Sequence, residues 1–96
     1  MSRRPASGRF ERARLPAPAE YYARAGLALA GRGAWRSARC PWHDDTRPSL
    51  RVHVETGAYR CMVCGARGGD VLDHYRTRTG ATFVEAARAL GAWVQR

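Results

Sequence analysis

Four residues of this 96-residue chain have the types and spacing to grip one metal ion. Two residues separate Cys40 from His43, two separate Cys61 from Cys64, and 17 lie between the pairs. Each short pair suits a knuckle, a tight turn that aims two side chains at one point. Two knuckles at neighbouring strand ends complete a tetrahedron. Three thiolates and one imidazole form a soft, closed ligand set, which favours zinc over magnesium or calcium and leaves no open position for a catalytic water. One structural Zn²⁺ is therefore expected. Gly65, directly after Cys64, permits a left-handed backbone, and Pro41 stiffens the first knuckle.

Competing readings of the same residues are weaker. A redox dithiol at Cys61 and Cys64 calls for a βαβ context, whereas these residues follow a hairpin pattern. An ordinary buried thiol at Cys40 does not explain its place in Cys40-Pro41-Trp42-His43. His53 lies in mid-strand, away from both knuckles, and with His74 reads as a surface or packing residue.

The elements that must hold this set are short. Pro18 opens a helix through Ala25, with Glu20 near its N-terminus and Gly26 after it. Leu27–Ala30 reads as a strand, and Ala34–Arg39 as its partner across a Gly31-Arg32-Gly33 turn. From Ser49 to Val54 apolar and polar residues alternate, which puts Leu50, Val52 and Val54 on one face and Arg51 and His53 on the other. Glu55-Thr56-Gly57 turns the chain into a returning strand over Ala58–Cys61. Asp70 can cap a helix that ends near Gly80, and Thr82 with Glu85 forms a capping-box pattern before a stripe of Ala86, Ala87, Ala89 and Leu90. The fold class is α+β: a small antiparallel sheet, with two or three short helices on its apolar face.

Residues 1–18 carry five arginines and three prolines, with Phe10 and Leu15 as their large apolar side chains, and are expected to form a flexible basic arm. The remainder, 19–96, is small enough that a metal would supplement a thin core. The formal net charge is +9, all 17 basic residues being arginine. A GC-rich coding bias explains arginine over lysine, but not the excess over 8 acidic residues. That excess points to a polyanion, nucleic acid being the commonest. No apolar run approaches the roughly 18 residues of a membrane span, and an odd number of cysteines cannot all pair. A reducing, cytoplasmic setting without membrane contact is expected. An organelle transit peptide fits the start less well, given Glu11 and no amphipathic pattern.

Several motifs carry a family resemblance. Cys40-Pro41-Trp42-His43-Asp44-Asp45-Thr46-Arg47-Pro48-Ser49-Leu50 resembles the Cys-Pro-Phe-His…Pro-Ser-Phe segment in the zinc-binding domain of bacterial DnaG-type DNA primases. Tyr59-Arg60-Cys61-Met62-Val63-Cys64-Gly65 is similar to that family's strand and second knuckle. Gly68-Gly69-Asp70-Val71 and Phe83-Val84-Glu85-Ala86-Ala87 resemble its two helix starts. The resemblance implies a Cys-His-Cys-Cys zinc ribbon over 19–96, here as a small stand-alone protein. It further implies binding to template DNA, chiefly single-stranded, in replication priming. Trp42 in place of Phe, Met62-Val63, and Arg47 inside the Thr-Pro-Ser run depart from the family pattern.

That family polymerises RNA in a separate acidic, metal-dependent domain. The carboxylates of this chain form no constellation for two magnesium ions, so it is not expected to catalyse alone, nor to take a small-molecule substrate. A primase catalytic subunit or a replicative helicase are the protein partners this reading names. The residues expected to meet DNA are Arg36, Arg51 and Arg60 on the sheet, Arg39, Arg47 and Arg67 beside the knuckles, and Trp42 as a stacking ring, with Trp35 or Tyr59 behind it. Taken singly, each such arginine is more commonly just solvated. The competing function is an adaptor that recruits replication or transcription factors without touching DNA.

Overall fold

The structure, a computed structural model, describes residues 8–42 and 48–95. In chain order the elements are β1 (Arg9–Phe10), a 3-10 turn (Arg12–Arg14), α1 (Pro18–Arg24), β2 (Trp35–Ala38), β3 (Leu50–His53), β4 (Tyr59–Cys61), β5 (Arg67–Gly68), α2 (Val71–Thr79), α3 (Phe83–Ala89) and β6 (Trp93–Val94). The α+β class expected from the sequence is what forms. Strands β2-β3-β4-β5 make one antiparallel sheet in sequential order, and β1 pairs with β6 in a second, two-stranded one.

Alternation decides which face is covered. Leu50 and Val52 are fully buried, as are Tyr59 and Cys61 beside them, while Arg51 and Arg60 point the other way. The covered face meets Tyr21 and Tyr22 of α1 and Val71 of α2 in one cluster. Each large side chain buried there contributes about 1.5–3 kcal/mol. The Tyr22 hydroxyl donates to the Gly57 carbonyl at 2.7 Å, which ties α1 to the β3–β4 turn. A Cβ at Gly68 would stand 2.5 Å from the Tyr59 ring, so glycine is what lets β5 lie against that ring.

The two C-terminal helices start where their caps are written. The Asp70 carboxylate accepts from the Asp73 N–H at 2.8 Å. Thr82 Oγ1 accepts from the Glu85 N–H, and Glu85 returns the bond to the Thr82 N–H. Leu72 of α2 packs against Ala86 and Ala87 of α3 in a second cluster. No helix among the described residues is long and apolar enough to cross a membrane.

Two segments differ from expectation. Leu27–Ala30 is not a strand: Ala30 makes a single bridge to Ser37, and β2 takes β3 as its ladder partner instead. The Gly31–Gly33 turn between Ala30 and β2 has positive φ at both glycines. Residues 8–18, assigned to the arm, carry β1, the 3-10 turn and the start of α1. Phe10 sits edge-on to Phe83 with centroids 5.1 Å apart, Leu15 packs on both clusters, and Arg12 pairs with Asp70 at 2.6 Å. The arm's two large apolar side chains are thus used as anchors; residues 1–7 lie outside the described residues.

His74 is the fully buried polar side chain of the core. It is ringed by Tyr21, Tyr22, Trp42 and Tyr59, and its Nδ1 shares a 2.7 Å hydrogen bond with the Tyr21 hydroxyl. Burial first, and the charge of Arg78 second, pull its pKa down from 6.5 to about 4. An unfolded chain therefore takes up a proton near pH 6.5 that the folded chain refuses. The resulting stability is complete above pH 6.5 and is lost as the pH falls toward 4, by about 3 kcal/mol at most. His74→Phe should flatten that acid slope in stability measured against pH. Parallel curves for variant and wild type would contradict a neutral, buried imidazole.

Candidate functional site

The sequence brings three sulfurs together at one end of the sheet. Cys40 follows β2, Cys61 ends β4, and Cys64 closes the turn after it. Their Sγ atoms all lie within 4.8 Å of one another. Cys40 and Cys61 are buried and Cys64 is exposed. The Cys40–Cys64 separation is 3.7 Å, far beyond a disulfide's roughly 2.05 Å. It matches the sulfur–sulfur edge of about 3.8 Å that a tetrahedron with Zn–S bonds of about 2.3 Å requires. The donor set therefore fits a soft, tetrahedral ion.

Local hydrogen bonds preset the second knuckle. The N–H groups of Val63 and Cys64 both point at Cys61 Sγ, at 3.4 Å each. Gly65 bends back with φ +80 and donates to the Cys61 carbonyl, and Ser49 Oγ lies 3.4 Å from Cys61 Sγ. Burial raises the Cys40 thiol to about 12; the Trp42 N–H opposes that rise, while Cys61 and Cys64 alongside add to it. A divalent cation among three sulfurs so placed would be held by their thiolate forms. His43, the expected fourth ligand, lies outside the described residues, and no second cluster of ligand side chains occurs among those described.

The opposite face of the sheet is basic. Register places Arg51 of β3 opposite Arg60 of β4, and Arg60 opposite Arg67 of β5. These three exposed arginines form one row across three strands. Like charges directly opposite are destabilising in a sheet. Among the described residues none of the three has a carboxylate partner, the ion pairs there being Arg9–Glu11 and Arg12–Asp70. On the same face, Trp35 faces His53 edge-on at 4.9 Å and stays 44% exposed.

The other candidates for DNA contact are placed differently. Arg36 stands opposite Val52, which puts it on the covered side at the sheet edge, with its Nε donating to the Gly33 carbonyl at 3.1 Å. Its assignment to the open face is corrected by that register. Trp42 stacks on Tyr59 at 5.7 Å and leans on His74, and its half-buried ring packs against the core. Tyr59 is buried. Arg39 is exposed next to Cys40, and Arg47 lies outside the described residues. Two side chains earn more weight here than their sequence signal gave them. Trp35 shares the parity of His53 across the β2–β3 ladder, which only the register reveals. Ser49, directly before β3, was marked by nothing but its place between Pro48 and Leu50.

Comparison with known proteins points the same way. Residues 23–95 match the model of the DnaG-type zinc ribbon, described as the CHC2 zinc finger. The Gene 58 protein of Mycobacterium phage D29 is 37% identical over 54 residues, covering 56% of this chain and 41% of that protein. The DNA primase of Thermotoga maritima is 40% identical over 58 residues, 60% of this chain and 10% of that enzyme. The DNA primase of Pseudomonas putida is 40% identical over 63 residues, again 10% of its length. The chain thus spans under half of the phage protein and about a tenth of these primases.

Cobalt(II) reports the ligand set directly. The reconstituted protein should show the intense visible bands of a tetrahedral sulfur-rich site, with thiolate charge-transfer absorption. Cys64→Ser should shift or abolish them, whereas His53→Ala should leave them unchanged. An octahedral spectrum, or an identical one in Cys64→Ser, would contradict the cluster.

Proposed function

Because the chain belongs to the CHC2 zinc-finger family of DnaG-type zinc ribbons, we propose that it is a zinc-dependent binder of single-stranded DNA acting in replication priming. Cys40, Cys61 and Cys64, with His43 as fourth ligand, would hold one Zn²⁺, whose contribution when bound is folding energy. The closed ligand set gives it no substrate position. The observation that carries the reading is the row Arg51–Arg60–Arg67 on a face that also exposes Trp35. Three uncompensated guanidinium groups side by side are costly alone and favourable against a chain of phosphates. The Trp35 ring can receive a base only if that base is unstacked, which single strands allow and duplexes resist.

The residues do binding work, and no step of nucleotide transfer is assigned to them. Asp70 and Asp73 are committed to backbone N–H groups around the start of α2. Polymerisation is accordingly given to a catalytic unit distinct from this ribbon, which spans about a tenth of the relatives named as DNA primases. Met62 and Val63 at the knuckle tip are 64% and 71% exposed, and they favour a second reading in which the ribbon docks on a protein such as that subunit or a helicase.

Salt-titrated binding of the zinc-loaded protein to oligothymidylate separates the two. With three arginines on phosphates, log K should fall against log salt with a slope near −2. Arg60→Glu should weaken binding at least about tenfold without lowering the melting temperature. Duplex of equal length should bind less tightly. Absence of binding at low salt would leave the docking reading in its place.

A further inference from the structure

The row of arginines does not stop at the sheet edge. Arg67 is its last member on β5, and it also lines a cleft of about 450 Å³ where β5 meets α2, with Asp73, Arg76, Thr77, Gly80 and Ala81. A cleft of that size has room for a ligand group as large as a nucleotide.

Its polar groups are disposed for an anion. The Nε of Arg76 donates to the Ala81 carbonyl at 3.3 Å, which holds the guanidinium at the cleft wall. Among the described residues neither Arg67 nor Arg76 forms an ion pair, although Asp73 shares the cleft. The Asp73 carboxylate is instead engaged with the Gly69 N–H at 2.9 Å, toward the start of α2. Thr77 Oγ1 accepts the Tyr59 hydroxyl at 3.0 Å, and its own hydrogen remains for a further acceptor. The Asp73 carboxylate and the C-terminal end of α2 oppose an anion with about one and a half units of negative charge, against two full guanidinium charges. Arginine supplies paired donors matched to phosphate oxygens.

We propose that this cleft is a phosphate subsite that carries a bound single strand from the Arg51–Arg60–Arg67 row around the β5 edge onto α2, with Arg76 as its anchor. The inference rests on the single-strand reading above. It assigns a longer path than the sheet face alone, and it gives a role to a helix residue that lies off the open face of the sheet.

The test is a length ladder of oligothymidylates, from about four to about sixteen nucleotides, the span of site sizes for single-strand binders. Affinity is measured by fluorescence anisotropy at several salt concentrations for wild type, Arg76→Ala, Arg76→Gln, Arg76→Lys and Arg60→Glu. Melting temperatures are recorded alongside. Wild type should gain affinity with length beyond what the sheet face spans. Arg76→Ala should match wild type on the shortest strands, lose about fivefold on the longest, and there show a salt slope shallower by about 0.7. Arg76→Lys, which keeps the charge, should restore most of that slope, and Arg76→Gln, which removes the charge but keeps much of the stem, serves as the folded probe if the alanine variant melts early. If Arg60→Glu weakens every length but no Arg76 variant changes any, the subsite is overturned and the single-strand reading stands. Equal loss at every length in Arg76→Ala overturns it too, because the cleft would not be an extension. If wild type binds no strand of any length, the reading itself fails and takes the subsite with it.

Discussion

Three cysteine sulfurs held within 4.8 Å of one another are the constraint on which the rest of this small structure depends. They join the end of β2 to the knuckle that follows β4, so one point of contact fixes two segments distant in sequence. The knuckle around Cys61 is preset by backbone N–H groups aimed at its sulfur. Sulfurs gathered so closely at one point make a ready receptor for a divalent ion. A core drawn from so few large side chains has little stability in reserve, whereas a structural zinc contributes on the order of 10–16 kcal/mol in small modules.

One ladder then serves two purposes. Leu50, Val52, Tyr59 and Cys61 go inward to the aromatic cluster around His74, and parity alone sends Arg51, Arg60 and Arg67 outward in register. A slip of one residue would bury the arginines and expose the core. The sulfur cluster at the end of the sheet and the aromatic packing of Trp42 on Tyr59 both guard that register. The basic face is thus a product of the same pairing that builds the core.

Much of this was legible in the sequence where the cause is local. The caps at Asp70 and Thr82 need only residues three positions away, and β3 declares itself by alternation. The cysteine spacing foretold that three sulfurs would meet. What was not legible depends on partners remote in sequence. Arg36 falls on the covered side and Trp35 on the open one because β2 pairs with β3, a register no local pattern encodes. Trp42 adjoins His43 in sequence but finds Tyr59 and His74 in space. The two-residue strands β1 and β6 join opposite ends of the chain and carry no periodicity long enough to read.

Hydrogen exchange on the zinc-loaded protein before and after chelation tests most directly whether the sulfur cluster governs the sheet. The account expects amides of β3 and β4 to lose nearly all protection on chelation, and single-strand affinity to vanish in step with them. Retained protection across β3 and β4 in the chelated protein would contradict it.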